Sequence, residues 1–191
     1  TGKSLPKAII LLGQEAWTSY LSQDSLTSFH IPIIGGMVSR NAVLLPEDGT
    51  DLENWESESV DVVNDSLKNF RILGFAYEYD VEKNIELILD FYPDTKHIAF
   101  ISDNSYGGVS LQALVKEEMR EKYPDLDLIL LDGRKHTVYS ITEKISTLPE
   151  KTAILLGTWR VDKNDGYFMR NATYSMMMTN PGLPAFTVTS I

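Results

Sequence analysis

Short apolar runs recur along the chain at intervals that suit a layered α/β protein. They fall at residues 7–13, 31–35, 97–103, 126–132, 152–159 and 184–190. Most are near-continuous Ile, Leu, Val and Phe rather than alternating, the pattern of a strand covered on both faces. Helical spacing fills the gaps. Asp80 can cap a helix whose Ile85, Ile88, Leu89 and Tyr92 share one face, and which must end before Pro93. A helix over 108–123 sets Leu111, Leu114, Val115 and Met119 on one stripe and stops at Pro124. Ser140 and Glu143 form a capping-box pattern ahead of Ile141, Ile145 and Leu148. A last helix is predicted over 166–178, carrying Phe168, Met169, Ala172, Met176 and Met177.

From Asp80 onward the order is α-β-α-β-α-β-α-β, which predicts a doubly wound parallel sheet with helices on both faces. The first 79 residues are less regular. A strand over 7–12 leads to a short helix over 15–21, a strand over 31–35, a long polar stretch over 36–69, and an apolar segment over 70–79. Polar stretches of that length are uncommon inside one compact domain, so this one reads as a functional loop or an excursion between lobes. The predicted division is residues 1–75, with an acidic loop at 46–66, and residues 76–191.

Composition narrows the class. The 191 residues are 43% hydrophobic, enough for a real core. Acidic residues outnumber basic ones 27 to 17, a net charge of −10, which argues against a nucleic-acid partner. Residues 46–66 hold eight of the 27 acids and none of the 17 basic residues, so the rest of the chain nets only −2. On this reading the acidity is a property of one loop, which weakens any claim that it repels anionic ligands from a pocket. Cysteine is absent, which excludes disulfides, thiolate metal sites and Cys nucleophiles. No apolar run approaches the ~18–20 residues that span a bilayer, so no membrane insertion is expected of this segment. There is no signal peptide and no initiator Met, so the chain is expected to be part of something longer.

Most chemical motifs fail on inspection. Gly2, Lys3 and Ser4 resemble the tail of a phosphate-binding loop without its glycine-rich part. No G-x-G-x-x-G follows a strand, and no G-x-S-x-G elbow is present. Gly107 and Gly108 open a helix after a strand, either as an anion-holding turn or as a plain β-to-α turn. His30, His97 and His136 lack metal-ligand spacing, and no metal or cofactor is expected. The Asn171 sequon falls inside a predicted helix, and Met176, Met177 and Met178 read as core with one exposed neighbour. A geometric rule remains: in open parallel sheets, ligands sit beyond the carboxyl ends of strands where strand order reverses. That rule puts Asp103, Ser105 and Tyr106 near Trp159 and Arg160, with Gln14 and Glu15 in the equivalent place of the first half. Aromatic rings, hydroxyls and a guanidinium make a small-molecule binding composition. Arg134 and Arg160 hint at an acidic or polar group on the solute. No nucleophile–base pair is present, so no catalytic residue is assigned.

Several segments together resemble a known family. They are Ala8-Ile9-Ile10-Leu11-Leu12-Gly13-Gln14-Glu15-Ala16, Ile31-Pro32-Ile33-Ile34-Gly35-Gly36, Gly74-Phe75-Ala76-Tyr77-Glu78-Tyr79-Asp80, Asn84-Ile85-Glu86-Leu87-Ile88, Tyr92-Pro93-Asp94-Thr95-Lys96-His97-Ile98, Asp103-Asn104-Ser105-Tyr106-Gly107 and Leu155-Leu156-Gly157-Thr158-Trp159. Their order is similar to type 1 periplasmic-binding-protein-like sensor domains, especially those of hybrid two-component histidine kinases. The resemblance implies two α/β lobes closing on a small solute, in the periplasmic part of an inner-membrane protein that signals to a kinase. It also implies that residues 1–75 are the tail of one lobe and 76–191 nearly all of the other. Such an incomplete first lobe would expose apolar sheet, so a homodimer or higher oligomer is expected. The alternatives are a solute-binding protein of an ABC importer, and a small α/β hydrolase or transferase using Asp103 as general base.

Overall fold

The computed structural model describes residues 6–23, 31–66, 72–168 and 170–188. Expectations placed on Gly2, Lys3, Ser4, His30, Phe70, Met169, Thr189 and Ser190 lie outside those residues.

The chain opens with β1 (Ile9–Leu12) running straight into α1 (Gly13–Leu21). β2 (Ile33–Ser39) is longer than its apolar run predicts, because it continues through Gly35 and Gly36 to a bulge and then Val38. The stretch expected to be irregular contains a two-residue antiparallel pair, β3 (Asn41–Ala42) with β4 (Val60–Asp61), and a single π-helical turn, Val62–Ser66. β5 (Ile72–Tyr77) completes a parallel sheet in the order β1-β2-β5. Gly74 sits at φ +143° beside Gly35; a Cβ there would lie 2.0 Å from the Gly35 carbonyl oxygen, so no other residue fits. Trp17 and Tyr20 of α1 cover one face of this sheet, against Leu11, Ile33 and Val38.

The second half follows the expected order. It runs α2 (Val81–Phe91), β6 (His97–Ser102), α3 (Tyr106–Lys122), β7 (Asp127–Asp132), α4 (Val138–Ser146), β8 (Thr152–Leu156), α5 (Arg170–Met177) and β9 (Ala185–Thr187). The sheet order is β7-β6-β8-β9, all parallel. The protein is therefore α/β, with parallel sheets flanked by helices. Apolar clusters fill both faces of this sheet, one built on Ile85, Ile98, Phe100 and Val115, the other on Ile101, Leu131, Ile141 and Ile154. Full burial on two faces is why these strands read as continuous apolar runs.

Three local readings need correction. The cap of α4 is Thr137, paired reciprocally with Ser140, and not Ser140 with Glu143. The last helix starts at Arg170 and not at 166, because the carboxylate of Asp162 accepts from the Asn164 and Gly166 amides and holds a turn there. α3 begins at Tyr106, capped by Ser105, whose hydroxyl accepts from the Gly108 amide at 3.1 Å. That bond occupies the amide an anion would need, so the Gly107–Gly108 corner is a plain turn.

Candidate functional site

Strand order reverses between β6 and β8, since β7 and β8 lie on opposite sides of β6. The carboxyl end of β6 is therefore the place to look. Asp103 follows it and is 1% exposed. One of its oxygens accepts from the Ser105 amide (3.1 Å) and hydroxyl (2.6 Å), and the other from the Arg160 amide (3.0 Å). The Asn104 amide also donates to the Val161 carbonyl at 2.9 Å. Asp103 thus stitches the loop after β6 to the loop after β8, and both of its oxygens are engaged. A carboxylate held this way is a structural anchor and a poor general base.

The seven residues singled out by sequence are not one constellation. Ser105 and Tyr106 flank a cavity at this end of the sheet. Trp159 instead points into the core beside Ile154 and Met176, and is only 4% exposed. It is a packing residue and offers no stacking surface. The Arg160 side chain is exposed and lies within electrostatic reach of Tyr79. Burial and the Tyr77 hydroxyl push the Tyr79 phenol upward, and the two rings meet edge to face at 5.2 Å. Gln14 is 6% exposed, and its carbonyl oxygen accepts from the Ser39 amide (3.0 Å) and hydroxyl (3.2 Å), a bond that ties α1 to β2. Glu15 is exposed in the first turn of α1. Among the described residues, no hydrogen bond or ion pair joins Gln14 or Glu15 to the loops after β6 and β8.

What sequence reasoning missed is the role of the acidic segment. Residues 46–59 lie across the carboxyl end of the second sheet. Trp55 packs with Val43 against Val109 and Ala113 of α3, next to Tyr106. Glu53 pairs with Lys163 at 2.8 Å, and Glu56 with Lys116, whose ammonium holds the Glu56 carboxyl below its usual range. Leu52 and Trp55 roof a cavity of about 190 Å³, with Asn104, Ser105, Tyr106, Val109 and Arg134 as its remaining lining. The acidic segment therefore covers the pocket through Leu52 and Trp55, while its Glu53 and Glu56 carboxylates are paired with lysines outside the lining. Trp55 carried a signal, being a lone large aromatic amid eight acids. No periodicity could show which surface it meets.

Arg134 organises the floor. Its Nε and Nη2 donate to the Asp132 carboxylate, with the shortest contact 2.7 Å, and Nη2 also reaches the Gln112 carbonyl oxygen at 2.8 Å. Its Nη1 donates to the backbone carbonyls of Trp55 (2.8 Å) and Leu52 (3.4 Å). Burial works against ionisation of Asp132, but these guanidinium bonds outweigh it and hold the carboxyl below its usual range. Every donor direction of Arg134 is in use, so it does not offer itself to an anionic solute. A larger cavity, about 410 Å³, lies beside β5 between Trp17 and Arg40. Arg40 there is engaged by Asp61 and Glu78, and the cavity flanks a strand edge rather than strand ends. Among the described residues, no group of three His, Asp or Glu side chains is placed to hold a metal ion, and no helix is long and apolar enough to cross a membrane.

No family model matches the chain, and no curated protein matches it. Among solved structures, the crystal structure of a conserved domain protein from Vibrio cholerae O1 biovar eltor str. N16961 is similar. It superposes with a TM-score of 0.50 at 15% identity, over 97% of this chain and 54% of that one. This chain spans about half the length of that protein. The likeness concerns fold alone.

Proposed function

We propose that the chain is a ligand-sensing module of the type 1 periplasmic-binding-protein-like class, working in the extracytoplasmic part of a membrane histidine kinase and binding rather than transforming its solute. The observation that carries this reading is the roofed cavity at the carboxyl end of β6, with one wall from each half of the chain. Ligands of open parallel sheets occupy that position. Both oxygens of Asp103 are engaged in holding loops, which speaks against the alternative of a hydrolase or transferase. A solute-binding protein of an importer would use the same cleft and would differ in the rest of its gene.

The lining favours a small neutral solute with an apolar ring or edge for Tyr106 and Trp55. Arg134 is already neutralised by Asp132, and among the described residues no Asp or Glu lines the cavity. A thermal-shift screen of sugars, amino acids, amines and nucleosides tests this. A true ligand at about 100 times its Kd stabilises by roughly 2.7 kcal/mol. That shift should vanish in Tyr106→Ala. Solutes that act equally on Tyr106→Ala, or a screen won by dianions, would overturn the site.

A further inference from the structure

We propose, resting on the reading of the roofed cavity as the solute site, that residues 46–59 are its lid. The lid is closed in this structure, and its tip lifts about a fixed neck to admit the solute.

The cavity holds about 190 Å³, less than the ~300–1,000 Å³ typical of small-molecule sites. Most of its walls are held in place. Ser105, Tyr106 and Val109 belong to the capped start of α3, the Asn104 amide is bonded to the Val161 carbonyl, and Arg134 is tied to Asp132 and Gln112. Only the roof, Leu52 and Trp55, comes from a segment with no strand or helix of its own. Room for a solute is therefore made by moving the roof.

Neck and tip are built differently. β3 and β4 close the base of the loop by pairing Asn41 with Asp61 and Ala42 with Val60, and the Arg40 guanidinium pins Asp61 at 2.8 Å. Val43, just beyond, is fully buried against α3. The tip carries its own hydrogen bonds. Thr50 donates to the Glu47 carbonyl, and the Asp51 carboxylate accepts from the Glu53 amide and the Asn54 side chain. It can thus lift as a unit. Its described hold on the second half is the Trp55 ring, the ion pairs Glu53–Lys163 and Glu56–Lys116, and the two Arg134 Nη1 bonds. Partly exposed ion pairs hold weakly, and Leu52 is already 51% exposed. Local openings are drawn from such contacts.

Lifting the tip leaves Arg134 bonded to Asp132 and Gln112 and frees Nη1, which now donates to the Trp55 and Leu52 carbonyls. A neutral oxygen of the solute then replaces those carbonyls, so lid and solute compete for one donor.

The chain has no cysteine, so a single introduced thiol reports opening. Val109→Cys lies in the cavity wall beside Trp55, where Val109 is 5% exposed. Val115→Cys, on the core side of the same helix, reports opening of the whole fold. Rates of alkylation by iodoacetamide are measured on the full chain, each normalised to the same variant in denaturant. Val109→Cys should react at least about tenfold faster than Val115→Cys. Glu53→Gln should raise that ratio by about two- to fivefold, and Trp55→Ala should raise it further. Equal rates at both positions, or a ratio that neither Glu53→Gln nor Trp55→Ala raises, would overturn the lid. Alkylation needs no solute. A raised ratio with an empty thermal-shift screen upholds the lid and sinks the solute reading, whereas equal rates with a solute shift that Tyr106→Ala abolishes do the reverse.

Discussion

The Arg134 guanidinium donates to the main-chain carbonyl of Trp55 at 2.8 Å while Asp132 neutralises it from below. One buried cation thus fastens the acidic segment to the end of a strand 79 residues away in sequence. Removing it strands a carboxylate that is 5% exposed. Arg134→Ala should cost about 3–5 kcal/mol, read from chemical denaturation. Adding Asp132→Asn should recover part of that loss. A double variant as unstable as the single one would show that the Trp55 contact, and not the buried charge, dominates.

Neighbouring glycines at the start of α3 should respond with opposite sign. At Gly108 a Cβ would sit 2.2 Å from the Asp103 carboxylate and 2.5 Å from its carbonyl, whereas at Gly107 its nearest neighbour is 3.6 Å away. Gly108→Ala is expected to destabilise by at least about 2 kcal/mol. Gly107→Ala should stabilise by up to about 1 kcal/mol, through helix propensity. Melting curves of the pair decide it, and equal effects would refute the close packing under Asp103.

His136 supplies a pH dependence. Burial, followed by the charge of Lys144, lowers its pKa from the ordinary 6.5. The unfolded chain then binds a proton more readily than the folded one below that value. Stability contributed by neutral His136 is present above about pH 6.5 and is lost as pH falls. His136→Gln should therefore show a shallower decline in unfolding free energy from pH 7 to pH 5. Asp132 acts at lower pH with the same sign, its stabilisation lost as pH falls through its depressed folded value.

The ion pairs of the acidic segment should matter little to stability and more to local opening. Glu53 and Lys163 are each 40–44% exposed, so Glu53→Gln should cost under about 1 kcal/mol. Together with Glu56→Gln, it should speed proteolytic nicking within 46–59, and added salt should do the same to the wild type. Salt-insensitive nicking in both proteins would locate the hold on this segment in Trp55 alone.

The second half was legible because its signals are local and mutually consistent. Continuous runs such as Ile98, Ala99, Phe100 and Ile101, too short for a helix and following Pro93, fit a strand buried on both faces, and Asp80 caps its helix as expected, accepting from the Lys83 amide at 3.0 Å. The site was less legible because its parts are distant in sequence. A Trp at a strand end reads alike whether it faces a pocket or the core, and only the packing of α5 and Met176 sends Trp159 inward. The capping pattern slipped by three residues because Thr137 and Ser140 both have hydroxyls, and the shape of the preceding loop chooses between them. Segment 46–59 could not be placed at all, since it has neither periodicity nor a strand of its own.

The seat of Trp55 between Val43, Val109 and Ala113 has a thermodynamic consequence. Each half of the chain supplies apolar surface that the other completes, so neither sheet reaches its full stability alone. Heating should therefore produce one concerted transition for both sheets rather than two. A break at the crossover near Glu78 would give pieces with raw hydrophobic flanks, not two free-standing modules.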